Sequence, residues 1–87
     1  MKKHIIVIFF RKCNNEMLAK VAVVLDDWKG IIKRFPTEEL IRRRCEKKEF
    51  IFLELLSNTS DKNKQFVKKL SNIEGIEVKL NIFTAVD

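Results

Sequence analysis

The side chains with chemical potential in this chain are few. His4 is the one histidine, and Cys13 and Cys45 are the two cysteines, 32 residues apart. Structural zinc takes four ligands, normally with two in close C-x-x-C or H-x-x-x-H spacing, and nothing here supplies that spacing. The cysteines read as separate reduced thiols of structural or incidental role, with a disulfide or a reactive thiol as the alternatives. Asp26-Asp27 and Glu38-Glu39 are adjacent carboxylates. Neighbours on a helix or strand diverge, so neither pair converges on a substrate, and solvated helix ends account for both. No Gly-rich phosphate loop or nucleophile elbow is present. His4, beside Lys2 and Lys3 at the start of an apolar run, reads as a surface histidine. The expectation is a protein without catalytic groups, metal or cofactor.

Charge is the first informative imbalance. The chain carries 18 lysines and arginines against 12 acids, a net charge of +6. Residues 1–44 hold 11 basic and 5 acidic side chains, whereas residues 45–87 hold 7 of each, so the first half carries all the excess. Its densest knot is Arg42-Arg43-Arg44, followed by Lys47 and Lys48. Such a patch attracts nucleic acid, anionic lipid or an acidic partner, or serves only as a solvated surface.

The elements that must position these groups follow from periodicity. Residues 4–10 are β-branched and aromatic with apolar side chains on both parities, as in an interior strand. Asn14 or Asn15 caps a helix whose stripe runs Met17, Val21, Val24, Leu25 and Trp28, widened by Leu18 and Ala22 and ended by Gly30. Residues 49–56 form a second strand, with Ile51, Leu53 and Leu55 on one side and Phe50, Phe52 and Leu56 on the other. A polar connector, 57–60, leads to a helix bearing Phe66, Val67, Leu70 and Ile73, which Gly75 stops. The last strand, 76–83, turns Ile76, Val78, Leu80 and Ile82 inward and Glu77, Lys79 and Asn81 outward. Residues 39–46 are ambiguous. They read as a strand entering a polar turn, or as a short helix started by Pro36, Thr37 and the two glutamates.

With a strand at 39–46 the chain is a single α+β domain over 1–87, a ferredoxin-like two-layer sandwich of βαββαβ order. Two helices then lie on one face of a four-stranded, mainly antiparallel sheet, with strands 4–10 and 49–56 central. The alternative is a small α/β layer fold with an extra helix at 37–47 and a strand at 31–35. In element order, and in Phe66 to Leu80 with its Leu-x-x-Ile-x-Gly-Ile-x-Val pattern, the chain resembles ferredoxin-like regulatory domains of the ACT type. That resemblance implies a small regulatory module. The glycine-bearing ligand loop of many such domains is missing from Arg11-Lys12-Cys13-Asn14-Asn15, as are the Cys-x-x-Cys loop of metallochaperones and the glycine-rich loop of acylphosphatases.

Lys48-Glu49-Phe50-Ile51-Phe52-Leu53-Glu54-Leu55 also resembles the third-strand signature of RNA-recognition domains. Lys48, Phe50, Phe52 and Leu53 match it; Glu49, Ile51 and Leu55 depart from it. That resemblance implies bases stacked on Phe50 and Phe52, with phosphates drawn to the patch at Arg42–Arg44. The preferred expectation is a cytoplasmic, non-catalytic interaction module without membrane contact. Phe10, Phe50, Phe52 and Leu56 would form an apolar sheet face that a second copy covers, making a homodimer.

Overall fold

The computed structural model describes residues 2–56 and 60–84. The apolar run near the N-terminus becomes β1, Lys2–Phe10. The Asn14 side chain then accepts a hydrogen bond from the Met17 N–H at 2.8 Å and starts α1, Asn15–Asp27. Such a cap satisfies a helix N–H that has no intrahelical partner. A short 3₁₀ turn, Lys29–Ile31, leads to α2, Glu38–Glu46, capped by Thr37 Oγ1 accepting from the Leu40 N–H at 3.1 Å. β2, Phe50–Leu55, α3, Ser60–Ser71, and β3, Ile76–Thr84, complete the order.

The sheet is three-stranded in the order β2-β1-β3, and β1 is antiparallel to both neighbours. Backbone parity follows from the bonds at its end. The Phe10 N–H donates to Glu49 at 3.0 Å, and the Arg11 N–H donates to Gly75 at 2.9 Å, each continuing its strand register. Antiparallel partners alternate between hydrogen-bonded and non-bonded pairs. Even-numbered residues of β1 therefore turn their backbone groups to β2, and odd-numbered ones to β3. The even side chains Ile6, Ile8 and Phe10 point into the core, joined by Ile51, Leu53, Leu55 and Ile76 from the flanking strands. Met17, Val21 and Leu25 of α1, Ile41 and Cys45 of α2, and Phe66 and Leu70 of α3 cover them. Trp28 stacks on Phe66, with ring centroids 5.9 Å apart.

Several expectations need correction. Residues 39–46 are helical, because the Thr37 cap and the four-residue spacing of Ile41 and Cys45 serve a helix, and the sheet lacks the fourth strand and the βαββαβ order. Three α-helices lie against it where two were expected. The strand expected at 31–35 survives as one antiparallel bridge, Ile32 to Leu55. β2 is consequently an edge strand, bordered by that short segment. Gly30 lies in the 3₁₀ turn, and α1 is capped by Trp28. Ala22 is exposed, outside the buried stripe. The connector at 57–59 lies outside the described residues.

Two further corrections concern the reactive side chains. Cys13 and Cys45 are joined in a disulfide with Cα atoms 5.3 Å apart, within the ordinary range for such bonds. The pairing depends on α2, whose C-terminal turn brings buried Cys45 under the loop between β1 and α1. His4 is buried, 4% exposed, because β1 begins beneath α3. Nδ2 of buried Asn63 lies 3.2 Å from His4 Nδ1 and donates to the Leu56 carbonyl at 3.2 Å.

Gly75 carries φ +101°, which L side chains rarely adopt, and a Cβ there would lie 2.8 Å from Met17 Sδ. Lys48, at φ +54°, turns the chain from α2 into β2 in the left-handed region without a glycine.

Two measurements test this account of the core. Reducing the disulfide should lower stability by about 3–4 kcal/mol, the loop-closure expectation for this separation, in urea unfolding with and without reductant. Asn63→Ala should cost about 1–3 kcal/mol in the same assay, because it strands buried polar groups.

Candidate interaction surface

The helices cover one side of the sheet and leave the other open. On that open side β1 presents Lys3, Ile5, Val7 and Phe9. β2 sets Phe50 opposite Phe9, Phe52 opposite Val7 and Glu54 opposite Ile5. β3 sets Glu77 opposite Phe9, Lys79 opposite Val7, Asn81 opposite Ile5 and Phe83 opposite Lys3. Phe9, Phe50, Phe52 and Phe83 are 36%, 44%, 63% and 52% exposed. Phe50 meets Phe52 edge-on with centroids 5.1 Å apart, and Phe9 lies 6.5 Å from Phe50. The three rings at the β1–β2 end form one cluster, with half-buried Val7 and Ile5 alongside it.

The charges on this face stand around the aromatics. Arg11 pairs with Glu77, and Lys33 lies 3.6 Å from Glu54. Lys79 is exposed and has no ion-pair partner among the described residues. Taking ~200 Å² for a phenylalanine side chain, the three clustered rings expose roughly 300 Å². That area is at the lower end of the largest apolar patch of a typical monomer, and such patches are often functional.

Of the residues expected at this surface, Phe50 and Phe52 are on it. Phe10 is not. It is fully buried on the helix side, because its even parity matches Ile6 and Ile8, and Phe9 occupies the open face instead. Leu56 lies beyond the end of β2, half-buried, and its N–H donates to the Ile31 carbonyl at 3.0 Å. Phe83 was missed although its signal was present: it shares outward parity with Glu77, Lys79 and Asn81. Phe9 had no such signal, since both parities of β1 are apolar.

The basic residues lie elsewhere. Arg42, Arg43 and Arg44 are on α2, in the helix layer and across the sheet from the phenylalanines. Arg43 pairs with Glu39 at 2.8 Å and Arg44 with Glu49 at 2.7 Å, while Arg42, Lys47 and Lys48 are exposed. Surface pairs of this kind contribute little stability but offset local charge. A shallow groove between α1 and α2 is lined by Leu18, Ala22, Glu38, Ile41 and Arg42 among others. Among the described residues no three His, Cys, Asp or Glu side chains come together as metal ligands would. No helix among them is long and apolar enough to cross a membrane.

Comparison with solved structures finds the same fold in an uncharacterized protein of Thermotoga maritima. The match has a TM-score of 0.67 and 20% identity, covering 97% of this chain and all of the other. No protein-family model and no curated protein matches the sequence. The chain is a compact α+β fold of that shape.

Parity separates buried Phe10 from open-face Phe52 sharply enough to measure. Phe10→Ala should cost about 3–5 kcal/mol. Phe52→Ser should change stability by less than about 1 kcal/mol. Equal costs in urea unfolding would contradict the assignment of faces.

Proposed function

We propose that this chain is a small non-catalytic interaction module of the regulatory kind, and that its open sheet face is covered by a second copy of itself. The observation that carries this reading is the aromatic cluster of Phe9, Phe50 and Phe52, presented on a rigid sheet with charges held around it. A stable interface takes about 800 Å² from each partner, so the clustered rings supply roughly a third of one partner's share. An isologous contact is the simplest cover, because one patch then serves both sides. Exposed aromatics surrounded by polar groups match the usual layout of an interface centre. The ACT-type pattern of residues 66–80 favours a regulatory setting, and the glycine-free loop after β1 argues against a small-molecule ligand there.

Phe50 and Phe52 also favour a second reading, single-stranded RNA stacked on the sheet. Against it stand Glu54 and Glu77 on the same face, and an arginine patch on the far side of the sheet where it cannot follow the same backbone. The exposed Arg42, Lys47 and Lys48 suit a weak, salt-sensitive contact with an acidic protein.

Sedimentation at micromolar concentration separates the readings. Phe52→Glu should halve the sedimenting mass while the circular dichroism spectrum stays native. An unchanged mass would overturn the face contact. RNA binding lost with Phe50→Ala would transfer the surface to the second reading.

A further inference from the structure

The open face is not the one unfinished surface of this sheet. β2 has its outer edge partly covered: the Lys33 N–H donates to the Glu54 carbonyl at 2.9 Å, and the Leu56 N–H donates to Ile31. β3 has no such cover among the described residues. The odd residues Glu77, Lys79, Asn81 and Phe83 spend their backbone groups on β1. The N–H and C=O groups of Ile76, Val78, Leu80, Ile82 and Thr84 are therefore directed outward along the whole nine-residue strand. An edge of that length is normally blunted by charged side chains, proline, a bulge or an inward-pointing charge, and the charges of β3, Glu77 and Lys79, stand on the open face. Here the even positions carry four aliphatic side chains and a threonine, and no residue of β3 is proline.

The same even side chains are incompletely buried. Ile76 is in the core, Val78 and Leu80 are half-buried, and Ile82 is 52% exposed. One strand thus offers free backbone groups and uncovered apolar side chains at the same positions. We propose that β3 pairs antiparallel with β3 of a second copy across a two-fold axis at Leu80, joining two three-stranded sheets into one. This contact uses a different surface from the open face and does not depend on it.

The register follows from self-complementarity. With the axis at Leu80, Leu80 meets its own copy, Val78 meets Ile82, and Ile76 meets Thr84. All are even-numbered positions, so each pair exchanges two N–H···O=C bonds. On the helix side the half-exposed Val78 gains the exposed Ile82 of the other strand, and the leucines meet at the axis. On the open side Glu77 faces Phe83 and Lys79 faces Asn81, so no like charges lie directly opposite. Phe83 is then diagonal to Lys79 of the other strand, within reach of a cation–π contact. Moving the axis to Val78 leaves Ile82 and Thr84 running past the start of the other strand. Moving it to Ile82 abandons Ile76 and Val78. Only the Leu80 axis pairs the whole strand.

The test reads register and mass together. Leu80→Cys adds one thiol to a chain whose own two cysteines are already joined, and residues facing each other in a bonded antiparallel pair have Cα atoms ~5.5 Å apart, within disulfide range. Diamide oxidation of folded Leu80→Cys should give a covalent dimer, whereas Lys79→Cys, which faces Asn81, should not. Ile82→Lys, a change at an exposed position, should halve the sedimenting mass with a native circular dichroism spectrum. A folded Leu80→Cys that stays monomeric on oxidising gels, or an Ile82→Lys protein with wild-type mass, would overturn the proposal. Phe52→Glu should leave the Leu80→Cys cross-link intact, so failure of the open-face contact and failure of the edge contact give different patterns.

Discussion

The structure depends on β1 being the middle strand of three. A strand with neighbours on both sides has every backbone N–H and C=O engaged, alternately left and right, and its side chains alternate up and down in step. For β1 the step is set by Phe10 bonded toward β2 and Arg11 bonded toward Gly75. Shifting it by one residue would turn Ile6, Ile8 and Phe10 to the open side and bring Val7 and Phe9 into the core. The helices could not then pack as they do, because Val21, Leu25, Phe66 and Leu70 meet the even side chains as one cluster.

That constraint explains the helix layer. α1, α2 and α3 all lie against the even side of β1, and their contacts tie distant segments together. The disulfide joins the loop leaving β1 to the last turn of α2, and the His4–Asn63 contact joins the start of β1 to α3. Gly75 closes the arrangement, since its carbonyl accepts from both Arg11 and Lys12 while its missing side chain leaves room for Met17. In a chain of 87 residues with a modest core, such cross-ties matter more than they would in a larger domain.

Covering only one face of a three-stranded sheet leaves two surfaces unfinished, the open face and the outer edge of β3. They differ in physical character. The open face offers aromatic area with little unspent hydrogen bonding, whereas the edge offers backbone donors and acceptors with a narrow aliphatic border. A partner on the face gains chiefly by excluding water from rings, and a partner on the edge by completing a ladder.

The sequence by itself determined those elements whose signal is local. Strand composition at 4–10, a cap at Asn14 or Asn15, a helix bearing Phe66, Val67 and Leu70 and the outward alternation of Glu77, Lys79 and Asn81 were legible, because propensity and periodicity act over a few residues. α3 itself ends at Ser71, and Gly75 closes the turn into β3 instead of stopping the helix. Phe50 and Phe52 were legible as an outward pair for the same reason. The rest was decided by contacts between segments far apart in the chain. Apolar residues on both parities of β1 left Phe9 and Phe10 indistinguishable until β2, β3 and the helices chose a side. Residues 39–46 carried helix and strand signals together, and the packing of Ile41 and Cys45 against the core selected the helix. The disulfide and the burial of His4 followed from that choice and from the placement of α3, since no local pattern records which loop lies beneath which helix. Whether a strand is central or an edge is likewise a property of the sheet: the alternation of 76–83 already suited an edge, whereas 49–56, apolar on both sides, reads as central and is an edge because the fourth strand is missing.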